Sequence, residues 1–375
     1  MEIIIYNINN NKVLENIISK VYNSLKSLQS KIIGRMDNSI LPNFLYIIEV
    51  IKMNDNKVII FHHNDMDGKV SAALIYAYEY YYKMTKSINI TCKEIDYTVL
   101  LNDDIKEGTT VYFVDYSFSK NENVDYLKSL INKGYKVVWI DHHKTSLKVL
   151  YQLREEINLA NTNFDCMMTE KKCATMICAH WIWEQTNHDK KYYIENSNFI
   201  KLVNSWDIWI HDMENDIDFN QGFMHIVRAK QYSIANIAEI LNVALINNDP
   251  YNVGEDYEKT LIQNYITIGK SINDYLDIIN ADLCKKYGHE VTIIFNNNEY
   301  KCITLNKSGN STLFGDLNDK YDIVIPYMYT GTQYVYSLFT KRNNLNCSEI
   351  AKKLGETDGL GGWWSGSSCR FPNLS

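Results

Sequence analysis

The stretch "VIIFHHNDMDGK", residues 58–69, decides how the chain is read. A run of apolar, mostly β-branched residues stops, and His62, His63, Asp65, Asp67 and Gly68 come directly after it. The run predicts a buried strand over 57–62. Its carboxyl end is thus a rigid platform carrying ligand chemistry. Downstream the same grammar repeats. Residues 69–83 read as a helix, 111–115 (VYFVD) as a strand, 122–133 as a helix closed by Gly134, and 136–140 (KVVWI) as a strand. Short apolar strands alternating with helices predict parallel βαβ units with helices on both faces of the sheet. The fold class is therefore α/β, with a doubly wound, mainly parallel sheet.

Three of these strands end in acidic or histidine-bearing loops: His62 to Gly68, Asp115, and Asp141-His142-His143. In open α/β sheets ligands bind outside the carboxyl ends of the strands, so these residues converge in space. Carboxylates crowded together repel, and burying them unpaired is expensive. No matching set of Arg or Lys stands in these loops. A divalent cation is the simplest compensation, and the mixture of Asp and His suits Mn²⁺, Mg²⁺ or Fe²⁺. The carboxylate count suggests two ions sharing a bridge, an arrangement that acidifies a bridging water and grips a phosphoryl group.

"HNDMDG", "VDYSF", "WIDHHK" and "NSWDIW" occur in that order between residues 57 and 210, and as a set they resemble the four motifs of the DHH phosphoesterase family. The resemblance implies a two-metal phosphoesterase or pyrophosphatase, usually dependent on Mn²⁺. Carried over residue by residue, it implies that His63 and Asp65 bind one metal and that Asp67, His142 and Asp207 bind the other. Asp115 would bridge the two, Asp141 would orient a histidine, and His143 would face the substrate phosphate. His62 receives no role from it.

The C-terminal part has a different texture. Residues 173–186, 192–204 and 251–280 read as helices. Residues 291–295, 300–305, 321–329 and 333–339 then read as strands, with a short helix over 348–355. Four units are expected: an extension over 1–55, a metal-binding catalytic domain over 56–245, a linker helix over 246–285, and a smaller α/β substrate-binding domain over 286–375, across a cleft. Within the extension, 2–6 reads as a strand and 12–32 as a helix. Nucleotide-cutting members of the family end in a glycine-rich stretch with a histidine. Here "GLGGWWSGSSCRF" lines up with it, but Trp363 replaces that histidine. Gly361, Gly362, Trp363, Ser365 and Arg370 are the expected substrate-binding residues, and Trp363 and Trp364 either pack in a core or stack on a base.

The formal net charge of −7 argues against gripping long duplex nucleic acid through its phosphates. The eight cysteines form no C-x-x-C pair, so a structural zinc site is not expected, and reduced thiols fit a cytoplasmic protein. No signal peptide and no bilayer-spanning run are read. The expected activity is hydrolysis of phosphodiester bonds in short oligonucleotides or in small, including cyclic, nucleotides. Inorganic pyrophosphatase and a non-catalytic nucleotide-binding module are the alternatives. The expected partners are a nucleotide substrate and no membrane, and a homodimer is allowed.

Overall fold

The structure is a computed structural model that describes residues 57–83, 89–97, 99–189, 193–246, 253–331, 333–342, 344–354 and 367–372. The extension over 1–55, with its expected strand and helix, lies outside the described residues.

The first sheet has five parallel strands: β1 (Lys57–His62), β2 (Asn89–Glu94), β3 (Thr110–Val114), β4 (Lys136–Asp141) and β5 (Phe164–Met168), in the order β2-β1-β3-β4-β5. Residue parity sorts the side chains onto its two faces. Val58, Ile60, Tyr112, Val114, Val138 and Ile140 pack on one face against α1 (Met66–Ala77) and α4 (Ala174–Gln185), and α5 (Asn198–Asp207), α6 (Asp216–Ala229) and α7 (Ile234–Leu241) extend the same core behind those two helices. Phe61, Val111, Phe113, Val137 and Trp139 pack on the other against α2 (Asn121–Asn132) and α3 (Lys144–Glu156). Burial on both faces is why these strands read as unbroken apolar runs. The strand order reverses between β1 and β3, and such a switch point opens a crevice at the carboxyl ends of the strands.

Several elements differ from the sequence reading. α1 begins at Met66, not 69, because the Asp65 side chain caps it by accepting the Gly68 N–H at 2.9 Å. Only Met66, Asp67 and Gly68 of the motif are helical, while His63 to Asp65 form the turn that leads into the helix. β2 and β5 were not anticipated: both are edge strands of mixed polarity, half-exposed along their length. Glu79, a charged residue within the helix read over 69–83, is buried. A π-helical turn over Tyr78–Tyr82 continues α1, and Glu79 there meets Lys83 Nζ at 2.6 Å and the Tyr112 hydroxyl.

A helix of 35 residues, α8 (Val253–Tyr287), leads to the second sheet. It packs against α6 at very short range where Gly222 and Gly269 face each other's backbones: a Cβ at Gly222 would stand 1.9 Å from Tyr265 O. The second sheet, in the order β10-β9-β8-β7-β6, comprises β6 (His289–Phe295), β7 (Asn298–Asn306), β8 (Ile323–Tyr329), β9 (Gln333–Leu338) and β10 (Ser367–Pro372). β7 and β8 run parallel and the other pairs antiparallel. The helix α9 (Cys347–Leu354) contributes Ile350 and Ala351 to the core on one face, while Leu313, Phe314 and Cys284 fill the other. The second unit is therefore a smaller mixed sheet with helical cover.

Candidate metal centre

The site is built from the carboxyl ends of β1, β3 and β4, which are adjacent in the sheet. At β1 the chain turns through His63 and Asp65 into α1. Gly68 makes that turn feasible, since a Cβ there would stand 2.4 Å from His63 O. His63 Nδ1 meets Asp65 Oδ2 at 2.6 Å. Asp67, in the first turn of α1 and 1% exposed, accepts the backbone N–H groups of Ala174 (2.8 Å) and Thr175 (2.7 Å). The positive end of α4 thus holds this carboxylate in place.

At the end of β3 the backbone of Asp115 enters the left-handed region, with φ at 52°, while its N–H still donates to Ile140 O at 3.0 Å. The turn aims its carboxylate back over the strand ends. At the end of β4, Asp141 accepts from the His142 N–H (2.8 Å), from His143 Nδ1 (2.8 Å) and from the Ser146 hydroxyl. Asp141 is fully engaged by its neighbours and holds the His143 ring.

These elements bring the donors into contiguous groups. Ligand atoms of His63, Asp65 and Asp115 lie within 4.8 Å of one another, and so do those of Asp67, His142 and Asp207. His142 Nε2 stands 3.4 Å from Asp115 Oδ1, 3.3 Å from Asp207 Oδ2 and 3.8 Å from Asp67 Oδ2. Asp115, Asp141, His142 and His143 make a third group, so Asp115 is common to two of the three. His62 is buried, with Nδ1 2.8 Å from His63 O.

The electrostatics are unbalanced. Among the described residues, the ion-pair partners of Asp65, Asp67, Asp115, Asp141 and Asp207 are histidines. Burial, then the carboxylates of Asp65, Asp67, Asp207 and Asp141, push the Asp115 carboxyl well above its ordinary range. Burial, then Asp67 and Asp65, does the same to Asp207. Asp141 behaves oppositely: burial works to raise it, but His143, His142 and the Ser146 hydroxyl together hold it at about 2. Burial opposes protonation of His143, and Asp141 overcomes that and raises its pKa. Both Asp115 oxygens, Asp207 Oδ2 and His142 Nδ1 are buried with no hydrogen-bond partner. Unpartnered buried polar atoms are rare because each forfeits its hydration. A set of carboxylate oxygens and imidazole nitrogens with vacant lone pairs fits a hard-to-borderline divalent cation.

Gly361, Gly362, Trp363, Trp364 and Ser365 lie outside the described residues. Arg370 is in β10, where its backbone pairs with Val335. One residue the sequence reading missed stands in this centre. Tyr97 comes after the unanticipated edge strand β2, and its hydroxyl lies 3.1 Å from His143 Nε2. No motif carries it, so only the recognition of β2 would have pointed to the loop.

Residues 57–205 match the family model described as "DHH family, N-terminal domain". No curated protein matches the chain. Among solved structures, the chain is similar to an uncharacterized protein from Helicobacter pylori, at 14% identity over 84% of this chain and 93% of that one, with a TM-score of 0.36. It is similar to the pGpG-specific phosphodiesterase PggH from Vibrio cholerae at 12% identity, over 84% and 93%, with a TM-score of 0.41. It is also similar to RecJ in complex with Mn²⁺ from Thermus thermophilus at 11% identity, over 88% of this chain and 51% of that one, with a TM-score of 0.41.

Proposed function

We propose that the chain, whose residues 57–205 match the model of the DHH family, N-terminal domain, is a metal-dependent phosphoesterase that hydrolyses phosphodiester bonds in short oligonucleotides or in small, including cyclic, nucleotides. The observation that carries this reading is Asp115: a buried carboxylate with both oxygens unpartnered, common to two groups of donors. His63 and Asp65 would hold one divalent ion, Asp67, His142 and Asp207 a second, with Asp115 between them. Manganese is the expected metal. Such ions, when bound, polarise phosphoryl oxygens and acidify water at neutral pH.

The chain's own groups then have separate tasks. Asp141 keeps the proton of His143 on Nδ1, because an ionised carboxylate only accepts. The opposite nitrogen, Nε2, meets the Tyr97 hydroxyl at 3.1 Å, and it is the ring atom that would meet charge developing on the phosphoryl group. Asp67 is locked by α4, so that side of the centre needs little reorganisation on binding. The glycines at 361 and 362, Trp363, Ser365 and Arg370, all in the C-terminal part of the chain, would meet the substrate in a cleft between the two units. The acidic net charge of −7 favours short substrates over long strands.

The test is a hydrolysis panel in Mn²⁺ with an Asp115→Ala control. The substrates are a 5′-phosphorylated dinucleotide, a longer single strand, a cyclic dinucleotide and inorganic pyrophosphate. Cleavage of the dinucleotides, absent in the variant, is the expected result. Release of phosphate from pyrophosphate alone would replace the reading with a pyrophosphatase. Metal and nucleotide binding without turnover would replace it with a binding module.

A further inference from the structure

Tyr97 is a half-buried residue in the loop after β2, in none of the four motifs. Its ring is held on three sides. It lies against the His63 imidazole with centroids 4.9 Å apart, stacks on Tyr116 at 5.6 Å with planes 11° apart, and meets the His143 ring edge-on at 5.9 Å. Its hydroxyl stands 3.1 Å from His143 Nε2. The other nitrogen of that ring is committed to Asp141 at 2.8 Å. Nε2 is the nitrogen left for a substrate, and the Tyr97 oxygen occupies the hydrogen-bond position beside it.

A phenol donates and accepts, whereas a phosphoryl oxygen only accepts. In the free protein the hydroxyl and Nε2 therefore satisfy each other. A phosphoryl oxygen arriving beside Nε2 gives the hydroxyl an acceptor within reach. The stacking on Tyr116 fixes the ring, so only the O–H rotor has to turn.

We propose that Tyr97 is a further catalytic residue of this centre, its hydroxyl donating to the same substrate phosphoryl oxygen that His143 binds. This rests on the phosphoesterase reading above. Removing one donor aimed at developing charge slows enzymes by about a hundredfold or more, and a neutral phenol stands at the low end of that range.

The experiment compares wild type with Tyr97→Phe, which keeps the ring and its stacking, in the Mn²⁺-loaded full-length protein. With bis(4-nitrophenyl) phosphate as substrate, kcat is expected to fall by about tenfold to a hundredfold, with KM changed less than threefold. The melting temperature and the Mn²⁺ affinity are expected to match wild type. A merely structural tyrosine would give the reverse: kcat unchanged, with any loss confined to the melting temperature. An unchanged kcat overturns the proposal. If wild type hydrolyses nothing, the phosphoesterase reading fails, and inorganic phosphate is titrated into both Mn²⁺-loaded proteins. Phosphate binding about tenfold weaker in Tyr97→Phe supports the donor role. Equal affinities, or no phosphate binding by wild type, overturn it.

Discussion

Asp115 concentrates the cost of this fold in one side chain. Its backbone is left-handed, its oxygens are buried and unpartnered, and four other carboxylates raise its pKa. Asn tolerates the same backbone conformation. Asp115→Asn is therefore expected to melt higher than wild type in chelator, by about 1–3 kcal/mol, because the amide removes a repelling carboxylate and can donate to its neighbours. In Mn²⁺ the order should reverse, since the variant loses the charge that draws the cation. Paired thermal melts decide it, and a variant less stable than wild type in chelator would contradict the reading.

The same residues set the pH dependence. Asp115 and Asp207 have folded pKa values above the unfolded value of about 3.9. The folded state thus holds protons that the unfolded state has released, and stability falls as pH rises from about 4 through the folded values. His143, also raised, acts in the same direction through its own folded pKa. Asp141, held at about 2, acts oppositely: its contribution is present above about 3.9 and is lost as pH falls toward 2. Between pH 5 and 8 the raised carboxyls and His143 act together, opposed by His62, whose pKa burial lowers. The metal-free protein should lose stability across that window, and the increment on adding Mn²⁺ should grow with pH. An increment that shrank as pH rose would count against the metal centre.

Between elements, close approach matters more than propensity. α6 and α8 meet where two glycines face backbone: a Cβ at Gly269 would stand 1.7 Å from Asp218 O, as one at Gly222 would meet Tyr265 O. The helices would have to separate to admit a methyl group. Gly222→Ala and Gly269→Ala are each expected to destabilise the protein by about 1–3 kcal/mol, the usual cost of overpacking. Metal affinity should be unchanged, because neither helix face contributes a donor. Calorimetry of unfolding and of Mn²⁺ binding separates the two effects. Gly68 differs: its close contact is with His63 O, so Gly68→Ala should weaken metal binding together with stability.

Across the molecule, the first sheet supplies the donors and the second unit is the proposed source of substrate contacts. If that division holds, Arg370→Ala raises KM for a dinucleotide by about tenfold while kcat stays within threefold, the pattern of lost uniform binding. Steady-state kinetics checks it; a fall in kcat at constant KM would place Arg370 in the chemistry instead. No helix among the described residues is long and apolar enough to cross a membrane. Cys92, Cys166, Cys173, Cys178, Cys284, Cys302 and Cys347 are free thiols.

The parallel sheet and the residues at its carboxyl edge can be read from the order of amino acids alone. β1, β3 and β4 are buried on both faces, which forces continuous apolar runs, and each run stops at a polar end that cannot be buried without a partner. That His63, Asp65, Asp67, Asp115, Asp141, His142 and His143 come together was legible for that reason, whereas Asp207, at the end of α5, was reached only through the motif order. Local pattern could not reveal what depends on neighbours distant in the chain. β2 and β5 are half-exposed edge strands whose only strong signal is the sheet they join. Glu79 turns inward because a π-turn rotates it toward Tyr112. Tyr97 reaches His143 from 46 positions away. Such juxtapositions depend on how the loops cross the sheet edge, and tertiary packing sets that path.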